Sequence, residues 1–184
     1  LFASDSDVVS ATGGDLTFTA GTETFSISVA AGTTLSELRE QINASNDNFG
    51  VSANLVDTGT GDVRLVLNSS ITGDGNSLTI SNNDASLDNV SSIATGAGPA
   101  GIGINGAQNE AKNGIIEIDS IEIQSTTNAF DNAVSGLTIN ATKVSEAGVT
   151  TKASVATDKG TVKSTIETFI KDYNALMSVV ERET

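Results

Sequence analysis

The sequence predicts an α+β fold, mostly β: two small antiparallel β domains, the first with one short packed helix, followed by an amphipathic α-helix. Three observations predict it. Apolar and polar residues alternate in short runs separated by turns rich in Gly, Asn and Asp, the pattern of half-buried strands. One T-x-x-E signature, Thr34 to Glu37, stands at the head of a short helical repeat. Beyond residue 158 the apolar period changes from two to three and four, which is helical.

Residues 1–15 are polar apart from Leu1, Phe2, Val8 and Val9, and Gly13-Gly14 marks a turn. Leu16 to Thr19 and Thr24 to Val29 are alternating runs joined through Gly21, a hairpin. In the second run Phe25, Ile27 and Val29 share one face, and Ser26 and Ser28 share the other. Gly32 breaks the alternation. The Thr34 hydroxyl can then accept from the Glu37 backbone N–H while the Glu37 carboxylate reaches back to that of Thr34, a capping box. Leu35, Leu38 and Ile42 follow at helical spacing, so a short helix lays its apolar face on a sheet. Asn43 to Gly50 ends it. Val51, Ala53 and Leu55 resume alternation, and Arg64 to Asn68 gives a third strand after a glycine-containing turn. Leu78 to Ile80 predicts a short strand at a sheet edge.

Between Asn82 and Gly114 the composition changes, and the stretch GAGPAGIGINGAQNEAKNG holds the only proline. It predicts the crossing to a second domain. There Ile116 and Ile118, then Ile121 and Ile123, alternate with acidic residues, and Asp119-Ser120 sits at the expected two-residue turn. A positive φ is unfavourable for Ser, so Ser120 is an unusual turn residue. Leu137, Ile139 and Ala141 predict a further strand, and Ala153 to Ala156 another. Val162, Ile166, Phe169, Ile170, Tyr173, Leu176 and Val180 then form one stripe of a helix that Asp158 or Thr161 can cap. The divisions expected are residues 1–97, 98–157 and 158–184.

The 184 residues carry 9 basic and 23 acidic side chains, a net charge of −14. Phosphates would be repelled, which argues against nucleic acid and anionic lipid as partners. No apolar run approaches the roughly 20 residues of a membrane span. Aromatics make up 4% and Trp is absent, so the core layers are expected to consist of Val, Ile, Leu and Ala. A mean hydropathy near zero and regular alternation argue against disorder. The chain opens within a pattern at Leu1-Phe2 and reads as a fragment, so the lack of a signal peptide carries no weight. There is no cysteine, hence no disulfide framework.

Candidate chemistry is sparse. Gly101 to Gly106 spells G-x-G-x-x-G, but a dinucleotide site needs a strand before it and a helix opening at its end. Neither is predicted, and a linker is the better reading. Asp5-Asp7 and Asp74-Gly75-Asn76, with Asn82, Asn83 and Asp84, offer oxygen ligands without the spacing of a calcium loop. Exposed turns account for them. Without His or Cys, the Ser–His and Cys–His nucleophile systems and ordinary zinc sites are closed. The carboxylates lie in turns and on strand exteriors rather than as a glycosidase pair. N-x-S/T triplets begin at Asn43, Asn68, Asn89 and Asn140, as chance allows in so Asn- and Ser-rich a chain. No enzyme, cofactor or metal is expected.

The segment FSISVAAGTTLSELREQINAS, with GVSANLV and VRLVLNSSITGDGN, resembles the hook IN motif of bacterial flagellar axial proteins. The later IIEIDSIEIQSTTNAFDNAVSGLTINATKVSEAG and FIKDYNAL resemble the flagellar filament-capping family, flagellar hook-associated protein 2. The resemblance implies a structural cap at the distal tip of the extracellular filament, forming a homo-oligomeric plate that assists flagellin assembly. Self and flagellin are the implied partners, and host surface glycans a further candidate. It also implies nested domains, with strands that complete the second domain lying upstream of Leu1. The final helix would be the start of a helical leg that packs through Phe169, Tyr173 and Leu176 on helices outside this segment. Two alternatives remain open: another axial protein, such as a hook–filament junction protein or a flagellin outer domain, and an exposed adhesive or carbohydrate-binding module.

Overall fold

The computed structural model describes residues 2–102, 110–146, 148–154 and 159–183. The chain divides into two compact units, residues 1–143 and 144–184. The first unit opens with strands β1 (Gly14–Ala20) and β2 (Glu23–Val29), paired antiparallel around the Gly21-Thr22 turn. Their register sets Leu16 opposite Ile27 and Phe18 opposite Phe25. Helix α1 (Leu35–Ala44) follows, then β3 (Val51–Asp57) and β4 (Val63–Ser69), a second antiparallel pair. The short β5 (Thr79–Asn82) returns to the other side of β1, giving the order β2-β1-β5 and setting Ile80 opposite Phe18.

The predicted capping box is present. The Glu37 N–H donates to the Thr34 hydroxyl at 3.3 Å, and the Thr34 N–H to the Glu37 carboxylate at 2.9 Å. Those bonds, the backbone one first, hold the Glu37 carboxyl below its ordinary value. With its start satisfied, α1 buries Leu35, Leu38 and Ile42 completely against Phe18, Phe25, Ile27, Val29, Val51 and Ile80. The helix end is sealed by asparagine amides. Asn43 donates to the Ala53 carbonyl and accepts from the Ala53 N–H, both at 2.8 Å, standing in for a neighbouring strand on β3. Asn48 donates to the carbonyls of Ile42 and Val51 at 2.8 Å and accepts from the N–H groups of Gly50 and Val51. An edge satisfied in this way is closed to pairing with other chains.

Within the same unit, β6 (Gly114–Ile118) and β7 (Ile121–Ser125) form one hairpin, β8 (Ala129–Val134) and β9 (Leu137–Asn140) another. Asp119 and Ser120 make the expected turn, with φ of 50° and 67°. Only Phe130 of these strands' apolar residues is fully buried; Ile116, Ile118, Ile123, Leu137 and Ile139 are half-buried. The two hairpins meet the first core through polar bonds at one turn. The Thr72 hydroxyl donates to the Thr126 carbonyl at 2.8 Å, the Asp74 N–H to the Asn113 side chain at 2.9 Å, and the Ala111 N–H to the Ser77 hydroxyl at 3.1 Å.

The structure departs from the sequence reading in four places. Phenylalanine, though scarce, is concentrated in the first core, where Phe18 and Phe25 stack at 4.7 Å and Phe49 meets Phe25 edge-on at 5.4 Å. The core is thus more than aliphatic layers. Ala85–Val90 is a 3-10 turn that buries Leu87 and Val90, a helical class too short to leave a periodic trace. Strand β8 had no alternation to reveal it, because a bulge near Asn132 (φ 59°) breaks its register. Ala153 and Ser154 are irregular rather than strand, and the rest of that predicted strand, 155–156, lies outside the described residues.

Replacing Leu38 by Ala should remove about 2–5 kcal/mol from the unfolding free energy of this core, read by denaturant titration. Ser120→Gly should raise stability by up to about 1 kcal/mol, since glycine carries no penalty at a left-handed φ. A loss of stability would show that the turn is not strained.

Candidate functional site

The second unit holds helix α2 (Lys159–Glu183). It has no proline, and its apolar residues recur at three- and four-residue steps, the period of a helix. Thr161, considered above as a cap, lies inside the helix, where its carbonyl accepts from the hydroxyls of Ser164 and Thr165; Asp158 lies outside the described residues.

At a rise of about 1.5 Å per residue, the stripe from Val162 to Val180 runs for about 27 Å. Every member of it is exposed: Phe169 at 69%, Tyr173 at 53% and Leu176 at 60%, with Val162, Ile166, Ile170, Met177 and Val180 beside them. Phe169 and Tyr173, one turn apart, stack with centroids at 6.5 Å and planes at 28°. All three predicted partner-binding residues therefore lie on one face. Sequence periodicity singled out all of this stripe except Met177. Elsewhere on the helix Lys163 and Glu167 pair at 3.6 Å, exposed on both sides and worth little. Covering large apolar side chains is worth about 1.5–3 kcal/mol each, so the face is a strong potential contact.

The other candidates resolve into local structure. Asp7 accepts from the N–H groups of Ala3 and Ser4, and Asp5 from the hydroxyls of Ser4 and Ser6. Asn83 pairs with Asp15; Asp84 accepts from the Ser86 N–H and the Thr12 hydroxyl, which hold its carboxyl below the ordinary range, the Ser86 bonds foremost. Asn82 turns to Asp88. Asp74 contributes its backbone N–H at the polar junction. Among the described residues no three acidic side chains converge as a metal site would require. Gly101 and Ile102 lie against the first core, and residues 103–106 of the glycine motif lie outside the described residues. No helix among the described residues is long and apolar enough to cross a membrane.

Comparison with known proteins places these features in a class. The flagellin hook IN motif family matches residues 15–70, the stretch of β1 to β4 and α1. The family described as the flagellar hook-associated protein 2 C-terminus matches residues 111–184, from just before β6 to the end. The chain is 35% identical over 181 residues to the flagellar hook-associated protein 2 of Aeromonas caviae, covering 96% of this chain and 37% of that protein. It is similar to the crystal structure of FliD (HAP2) from Pseudomonas aeruginosa PAO1, with a TM-score of 0.78 and 26% identity across 100% of this chain and 83% of that one. The flagellar cap protein FliD D2-D3 domains from Escherichia coli match with a TM-score of 0.64 and 25% identity, over 79% of this chain and 73% of that one. The chain belongs to the flagellar hook-associated protein 2 family and spans a little over a third of the length of its Aeromonas relative.

Because Tyr173 is exposed, Tyr173→Asp should leave the unfolding of residues 1–143 unchanged within about 0.5 kcal/mol, read by the β-sheet circular dichroism of the chain during denaturant titration. A larger shift would mean that the stripe already supports the β unit.

Proposed function

We propose that this chain is part of a structural cap at the distal tip of the bacterial flagellar filament, acting through association rather than bond chemistry. The observation that carries the proposal is the order of the two family matches in one chain, the hook IN motif followed by the hook-associated protein 2 C-terminus. That order disfavours a junction protein or a flagellin outer domain, which share the first motif alone. In this reading full-length copies associate as a ring, with flagellin as the substrate of assembly. Residues 1–97 are an outer domain and 98–157 belong to a second β domain whose remaining strands lie upstream. The half-buried isoleucines of β6 and β7 support that second assignment, since they want further cover.

Residues 158–184 begin a helical leg. Phe169, Tyr173 and Leu176 pack on helices from the part of the protein outside this segment. The division of the chain into units 1–143 and 144–184 supports a separate domain for α2. The acidic surface keeps exposed strand edges of neighbouring copies from pairing at random.

Immunogold labelling of whole cells, with antibody raised against this segment, should place gold at the free ends of filaments. Gold at the hook would assign a junction role, label along the filament a flagellin role, and label on the cell body would sink the flagellar reading. In the full-length protein Tyr173→Asp should abolish ring assembly and motility; unchanged rings would show that the stripe is not the contact.

A further inference from the structure

We infer that residues 91–102 form a strap latched against the first core by one carboxylate, Asp88, and that the strap opens as a unit in acid while that core stays folded. Asp88 stands in the 3-10 turn Ala85–Val90 and is 8% exposed. One carboxylate oxygen accepts from the Asn82 amide at 2.9 Å and the Thr95 N–H at 2.8 Å; the other accepts from the Gly96 N–H at 3.0 Å. Its backbone carbonyl accepts from the Gly101 N–H at 2.7 Å, and the Ser91 carbonyl from the Ile102 N–H at 2.9 Å. The strap thus leaves the turn, runs out, and is brought back to the same residue. Gly101 is held so close to the Asn89 backbone that any side chain there would collide.

Two features make this a latch rather than a portion of the core. Apolar burial is slight: Ile93 is exposed and Ile102 only partly buried. Polar bonds do the holding, and the only titratable group among them is Asp88. Neither the strap nor β5 carries an ionisable side chain, and Asp84 is the one charged group acting on Asp88. The Asn82 amide first, then the Thr95 N–H, hold the Asp88 carboxyl below its ordinary value of 3.8. The carboxylate's contribution is therefore complete above that value and is lost as the pH falls through the lower, folded value. A protonated carboxyl cannot serve all three donors, because one oxygen then carries a proton of its own. The remaining ties of the strap, Ser91 on Asn82 and the Asp88 carbonyl, Ser92 and Ile93 on Ile80, and Thr95 on Asn82, are ordinary neutral bonds. Opening lengthens the tether between β5 and β6, and leaves the turn at Thr72 to Ser77 as the junction between the first core and the two hairpins.

Amide hydrogen exchange of the chain, followed by NMR and corrected for intrinsic rates, tests this. Between pH 6 and pH 3 the amides of Thr95, Gly96 and Gly101 should lose several-fold more protection than those of Phe18 and Ile27. Asp88→Asn should show the same selective loss at neutral pH. In the unsubstituted protein the Thr95 and Gly96 amide shifts should titrate together, below the ordinary carboxylate range, a readout that requires no variant. Strap and core amides losing protection in parallel, or no common titration, would overturn the proposal.

Discussion

Burial of a single apolar layer supports the rest of the first unit. Leu35, Leu38 and Ile42 of α1 meet Phe18, Phe25, Ile27 and Val51, and no other helix of comparable length is described in that unit. Two sheets of two and three strands cannot bury enough surface on their own, and a lone hairpin is marginal in water. The helix joins them into one core. Its entry is therefore worth a capping box, and its exit worth two asparagines that bond to strand backbone. The hook IN match covers this helix and four strands, which supply most of that apolar layer.

Outside that layer the connections are polar and few. The hairpins β6–β7 and β8–β9 are tied to the first core by a hydroxyl, a side-chain amide and a backbone N–H, and the strap by a carboxylate. Hydrogen bonds of this kind specify geometry while adding little net stability, about 1 kcal/mol each. The chain therefore combines a stiff module with junctions that are directional and separable. This arrangement places surfaces without fusing them into one core.

Helix α2 inverts the usual relation between apolar residues and burial. Its stripe is as regular as that of a core helix and wholly exposed. The basic residues of the chain also gather here: five of the nine lie beyond residue 143, leaving the β unit strongly acidic.

Much of this was legible from the residues alone. Alternation located β1 to β4, T-x-x-E located the start of α1, and the three- and four-residue steps located both α2 and its apolar face. Local patterns carry such elements because each is set by neighbours in the chain. What a local pattern does not carry is which distant groups meet. That the side chains of Asn43 and Asn48 would close a strand edge, or that the strap would return to Asp88, depends on contacts between residues set in place by the whole fold. Strand β8 and the 3-10 turn were missed for a related reason, one broken by a bulge and the other too short to repeat. The sequence by itself determined most of the elements, their order and the apolar face of α2. Only the tertiary structure decided where the polar side chains outside the capping box bond, because those bonds depend on where the whole fold sets each segment.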